Sequence, residues 1–163
     1  MDDGSAPLLA HLIRGQRIAA LGTLRQGAPL VSMVLYLPSP DFSALYLHVS
    51  ALAWHTQDML ADPRVSLSIV QTDEPANLAS DPQRLARVSV RGEAARLPDG
   101  APVHPELKAA WLTRFPESAI SFGLADFAFF RVIPRDARFV AGFGRIHNLS
   151  AEALVAASGD VSK

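Results

Sequence analysis

The chain has 163 residues, 49% hydrophobic and 19% charged, with 15 Lys and Arg against 16 Asp and Glu. That length and apolar content fit one globular domain over 1–163, and basic residues that are scattered and balanced by acidic ones exclude nucleic acid as a main partner. The absence of cysteine excludes disulfides and thiolate metal sites; no apolar run approaches the roughly 18 residues of a membrane span, and MDDGSAPLLAHLIRG lacks an export leader, so the expectation is a cytoplasmic protein with no membrane partner.

Leu8, Leu9, Leu12 and Ile13 at helical spacing predict a first helix from Ser5 to Gly15, with Ser5 as N-cap and Pro7 in the first turn. From Arg17 the pattern turns to strands: RIAALGTLR, a break at Gln26 and Gly27, then PLVSMVLYL, which predicts a hairpin. A second turn over 38–43 leads to a third strand, ALYLHVS. ALAWHTQDMLAD reads as a helix ended by Asp62 and Pro63, and VSLSIVQ alternates as a fourth strand. A loop over 72–82 precedes a fifth strand, ARVSVRGEAARL, and helical spacing returns in HPELKAAWLTRF up to Pro116.

DFAFFRVIP and ARFVAGFG are predicted as two more strands around a turn at Pro134, Arg135 and Asp136, and Ser150 opens a terminal helix, AEALVAA. Seven short strands without regular strand–helix alternation predict a mainly β fold, a β-barrel with helical insertions. Its core runs over about 8–150, with a short C-terminal helix over 150–158.

The stretch HVSALAWHT, residues 48–56, concentrates the polar chemistry. A strand running into Ser50 followed by apolar residues is an N-cap signature, and a helix N-terminus offers unpaired N–H groups to an anion. A zinc site fails because His48 and His55 fall on different elements with no third local ligand. A serine hydrolase fails because no G-x-S-x-G elbow occurs. An anion cradle survives, beside the simpler readings that Ser50 only caps and that His48 is a strand histidine with a satisfied hydrogen bond. GFGRIH at 142–147 begins like a dinucleotide loop, but too little chain follows for a βαβ unit, and its glycines suit a tight turn.

Taken together, GAPLVSMVLY, LYLHVSALAWHTQDML, DPRVSLSIV, LARVSVRGEA, WLTRFPESAISFGLADFAFFRV and ARFVAGFGRIHNL resemble the pyridoxamine 5′-phosphate oxidase-like FMN-binding split barrels, and within them the HugZ/HutZ-type haem-utilisation branch, over about residues 8–150. The resemblance implies a homodimeric FMN-binding split barrel with the flavin at the subunit interface. Ser32, Met33 and Val34 would pass the isoalloxazine through their backbone, while Val49, Ser50, His55 and Thr56 would meet the ribityl phosphate. Where pyridoxamine phosphate oxidases carry an Arg-Lys pair on that phosphate, this chain reads Trp54 and His55, which lowers the charge of the cradle. Their C-terminal Trp and Arg substrate constellation is also missing, which weakens vitamin B6 oxidation as the activity.

Haem is the second cofactor that the resemblance implies, with His147 as the candidate axial ligand and no other metal site; a surface histidine near a helix start is the simpler reading of that residue. Apolar side chains such as Leu35, Leu37 and Phe129 are expected to be covered by the second copy. Two classes of function stay open: an FMN-dependent oxidoreductase or haem-degrading protein, or a non-catalytic protein that binds or carries FMN or haem. No residue takes an obligatory acid–base role, because a flavin supplies its own reactivity.

Overall fold

The computed structural model describes residues 4–73 and 81–159; part of the loop expected over 72–82, residues 74–80, lies outside the described residues. In chain order the elements are α1 (Ser5–Gly15), β1 (Ile18–Arg25), β2 (Ala28–Leu35), β3 (Leu37–Pro38), β4 (Leu45–Ser50), α2 (Trp54–Ala61) and β5 (Arg64–Val70). There follow β6 (Arg87–Arg96), α3 (His104–Arg114), a 3-10 segment (Pro116–Gly123), β7 (Phe127–Val140), β8 (Ile146–Ser150) and α4 (Ala151–Ala157).

The predicted hairpin forms because Gln26 and Gly27 both take positive φ, 53° and 83°, and a two-residue turn of that hand matches the twist of the strands it joins. The sheet is antiparallel throughout and ordered β2-β1-β5-β6-β7-β4-β3, with β8 added to the far half of β7. Only Tyr36 separates β2 from β3, so the two ends of the sheet are consecutive lengths of one chain and the sheet curls into a split barrel. The mainly β barrel with helical insertions is therefore what the chain forms. Leu21, Leu47, Leu67, Val88, Val90, Val132 and Phe139 point inward from the strands, and Leu9, Leu12 and Ile13 of α1 and Met59 of α2 join the same core. The Tyr36 hydroxyl donates to the Ile13 carbonyl at 2.7 Å, satisfying one of the acceptors that a helix C-terminus leaves open.

A second apolar cluster lies outside the barrel, where Leu107 and Trp111 of α3, with Leu97 and Phe115, cover Phe129 of β7. Phe129 is thus buried within the chain and is not the uncovered side chain expected of it, whereas Leu35 and Leu37 pack against the same cluster and stay partly exposed.

Four local expectations are corrected. Gly4, not Ser5, is the N-cap of α1, and Ser5 is fully buried with its hydroxyl 3.1 Å from His147 Nε2. The helix after β4 starts at Trp54 with Ala53 as N-cap, so Ser50 does not cap it; the Ala51 amide instead donates to Asp126 O at 2.7 Å, which holds residues 51–53 as a turn. Pro134, Arg135 and Asp136 are no turn but the bulge of one continuous strand, where Gly92 faces Pro134 and Arg91 faces Asp136. The strand β8 comes in addition, reached through a tight turn in which Gly142 and Gly144 take positive φ.

Candidate functional site

The split follows from register. β3 pairs with β4 through Leu37↔Tyr46 and Pro38↔Leu45; continued past the break, that register sets Val34 against Val49 and Met33 against Ser50. No pairing occurs there, because β2 bonds only to β1, and past its short pairing with β3 the end of β4 at Val49 and Ser50 bonds only to β7. Two strand edges with unused N–H and C=O groups therefore face each other, a surface ready to pair with something else. Ser32, Met33 and Val34 lie on one edge, Val49 and Ser50 on the other.

Helix α2 packs against β1 and β2 and brings His55 and Thr56 to this region. The Thr56 and Gln57 amides bond to Ala53 O, leaving the Trp54 and His55 amides without an acceptor inside the helix. Thr56 is buried and its hydroxyl oxygen has no hydrogen-bond partner. Burial holds the His55 imidazole below its ordinary pKa, with the nearby Asp58 carboxylate opposing it.

Ser50 is engaged differently from the sequence expectation: its hydroxyl donates to the Asp126 carboxylate and accepts from the Leu52 amide at 3.1 Å.

Arg25, at the end of β1, escaped the sequence reading. Its guanidinium lies 4.3 Å from the centroid of the exposed Trp54 ring, a cation–π contact, and donates to Asp58 Oδ1 at 2.9 Å, while the Thr23 hydroxyl donates to Asp58 Oδ2 at 3.0 Å. Asp58 is buried and Arg25 partly exposed, so the carboxylate anchors a cation beside the first turn of α2. Arg25 and Asp58 stand 33 residues apart in the chain, and no linear motif links them.

His147 sits on β8 opposite Phe139, with its Nε2 on the Ser5 hydroxyl rather than in a turn. β8 pairs with the second half of β7 and β4 with the first half, so the sheet does not bring His147 to the split. Among the described residues no cluster of three His, Asp or Glu side chains could hold a metal ion, and no helix is long and apolar enough to cross a membrane.

His48 points away from the barrel interior, and its Nδ1 lies 3.2 Å from the Ser121 hydroxyl, the satisfied strand histidine that the sequence suggested. Burial first, then the charges of His104 and Lys108, pushes its pKa from 6.5 down to about 4. The native state keeps it neutral, whereas the unfolded chain takes up a proton as pH falls below about 6.5. The shift therefore favours folding above that value, and the advantage is lost as pH falls toward about 4. His48→Gln should accordingly show a shallower fall in melting temperature than wild type across this window. Equal slopes would contradict the burial account.

A family model described as "CREG, beta-barrel" matches residues 5–155. The non-canonical heme oxygenase HOZ, a chloroplastic protein of Arabidopsis thaliana, is 32% identical over 137 residues, 80% of this chain and 38% of that protein. The chain thus spans about two fifths of that relative's length. A heme-binding protein from Mycobacterium smegmatis superposes with a TM-score of 0.83 at 27% identity, over 96% of this chain and 62% of that one. HutZ, described as the heme storage protein of Vibrio cholerae, shares the fold with a TM-score of 0.63 at 24% identity, over 74% of this chain and 84% of that one.

Proposed function

The chain belongs to the CREG β-barrel family, split barrels of the pyridoxamine 5′-phosphate oxidase-like kind with haem-utilisation proteins among its relatives, and from that premise we propose that it binds FMN in the split between β2 and β4, at the interface of a homodimer. The observation that carries this reading is the buried Thr56 hydroxyl without a partner in the first turn of α2, a turn that also holds the half-buried His55 and the Trp54 ring on which the Arg25 guanidinium lies. A phosphate monoester needs several donors and a cation at a helix N-terminus, and these groups meet that need without the Arg-Lys pair. Asp126, on the Ser50 hydroxyl, sets a carboxylate close by, so the phosphate is assigned to the α2 side and Ser50 lines the split without donating.

The open edge of β2 offers Ser32, Met33 and Val34 backbone groups to the polar rim of an isoalloxazine. Bound FMN supplies hydride or single-electron transfer; the chain's own residues hold the phosphate, orient the ring and exclude water, and the function proposed is that of a flavin-dependent oxidoreductase. The second reading is a non-catalytic FMN or haem carrier, favoured by a split whose identified groups all serve binding. Absorption of the purified protein separates the cofactors, with flavin expected at about 450 nm and haem at about 400 nm. Turnover of reduced nicotinamide by the flavin-loaded protein separates enzyme from carrier.

The dimer reading rests on a different surface from Leu35, Leu37 and Phe129. Ile18, Val31 and Met33 are 51%, 68% and 66% exposed. The register sets Met33 beside Ala20 and Ser68, and Val31 beside Gly22 and Ser66. Apolar side chains next to a floor of small residues form a flat patch suited to a second copy. Light scattering at micromolar concentration should give twice the chain mass, and Val31→Glu should halve it. A wild-type monomer would remove the dimer.

A further inference from the structure

A cavity separate from the split lies between α3, the 3-10 segment and the outer face of β4 and β7, and from its lining we infer that it is a small-molecule site for a flat aromatic monocarboxylate. Its volume is about 470 Å³, and His48, His104, Lys108, Phe122, Phe127 and Phe129 line it. That volume falls within the few hundred to about 1,000 Å³ typical of small-ligand sites.

The walls divide by chemistry. His48 stacks on Phe122 with ring centroids 4.1 Å apart and planes 11° from parallel, and Phe127 and Phe129 tilt against it at 5.3 and 4.7 Å. Its ring is held by the Ser121 hydroxyl. Fixed aromatic walls favour a rigid ring that meets them by offset stacking or edge to face. His104 and Lys108 stand one turn apart on α3 and share one face of that helix. The Lys108 ammonium lies 5.0 Å from the Phe122 centroid, and among the described residues it forms no salt bridge. His104 Nε2 is buried without a hydrogen-bond partner, a state that costs free energy until a polar group reaches it. Asp99, at the rim, is held by Arg96 at 2.9 Å, so its charge is answered locally.

One free cation and one unsatisfied imidazole on one wall, with aromatic rings on the others, select a ligand with its carboxylate at one end and one or two fused rings behind it. A dianion finds no second cation among the lining residues. This site does not depend on the flavin reading, since no residue of the split lines it.

Naphthoate is a suitable probe, with uncharged naphthylmethanol as control. The chain has two tryptophans, and they report on different places. Trp111 lies 5.8 Å from His48 and its indole N–H donates to the Ser118 hydroxyl at 2.9 Å, whereas Trp54 belongs to α2 beside the split. The two indole N–H signals in a heteronuclear NMR spectrum of the full chain are assigned with Trp54→Phe. Naphthoate should shift the Trp111 signal saturably and leave Trp54 in place. Naphthylmethanol should bind about tenfold or more weakly, and Lys108→Met, at an exposed position, should lose about tenfold in naphthoate affinity; His104→Gln should weaken it as well. Adding FMN should leave that affinity unchanged. The inference is overturned if Trp54 moves instead, if neither signal moves at millimolar naphthoate, if FMN displaces the probe, or if Lys108→Met binds like wild type.

Discussion

Gly92→Ala should cost about 3 kcal/mol or more of stability, toward the severe end of single substitutions. Gly92 stands at the bulge between β6 and β7, and a Cβ there would lie 2.2 Å from the Ile133 carbonyl oxygen and 2.9 Å from its carbon. Both are backbone atoms, so relief needs a shift of β7 itself, at the centre of the sheet. At about 2–4 °C per kcal/mol for a domain of this size, thermal melting should drop by roughly 6–12 °C. Gly22→Ala is the control: its added Cβ would meet Ser66 O at 3.6 Å, an ordinary contact, and should change stability by less than about 1 kcal/mol. Equal losses in the two variants would show that the bulge is not the source of the constraint.

The second large effect is on flavin affinity. Under the FMN reading, Arg25 supplies the cation and His55 a donor to the phosphate, and each charge-assisted hydrogen bond contributes about 1.5–3 kcal/mol. His55→Ala and Arg25→Ala should therefore each weaken FMN binding by about tenfold to a hundredfold, while riboflavin, which lacks the phosphate, binds both variants as it binds wild type. Arg25→Ala also strips a partner from the buried Asp58 carboxylate, so lost stability could mimic lost binding. Arg25→Lys keeps a positive charge beside Asp58 and should hold part of the FMN affinity. Unchanged FMN affinity in His55→Ala and Arg25→Ala would make both residues structural and move the phosphate elsewhere.

What the sequence made legible was local. The first helix follows from Leu8, Leu9, Leu12 and Ile13, the hairpin from Gln26 and Gly27, and α3 from the spacing of HPELKAAWLTRF between Ala101 and Pro116. The misreadings share one cause, long-range contact. Pro134 looks like a strand breaker, yet at a bulge the amide it lacks is not required by the ladder. Ser50 looks like a cap, yet Asp126, 76 residues away, takes its hydroxyl, and Asp126 O takes the Ala51 amide, so the helix begins only at Trp54. β8 carries polar residues at 147 and 148 with little apolar alternation and pairs because β7 offers an edge.

The candidate site divides in the same way. The motif HVSALAWHT does hold a strand end and a helix start, because a strand that leads into a helix is a local event. Arg25 could not be read as part of it, since only the closure of the barrel brings the end of β1 to α2. Nor could the opening between Val34 and Val49, which exists because pairing stops after Leu37 and Tyr46.

Calorimetric titration of the flavin-free protein with FMN and with riboflavin tests the central claim most directly. The account predicts saturation at one FMN per chain, with a dissociation constant of about 10 µM or lower, and riboflavin weaker by about tenfold or more. Indistinguishable FMN and riboflavin affinities, or no heat of binding with FMN at hundredfold higher concentration, would contradict a phosphate cradle at the start of α2.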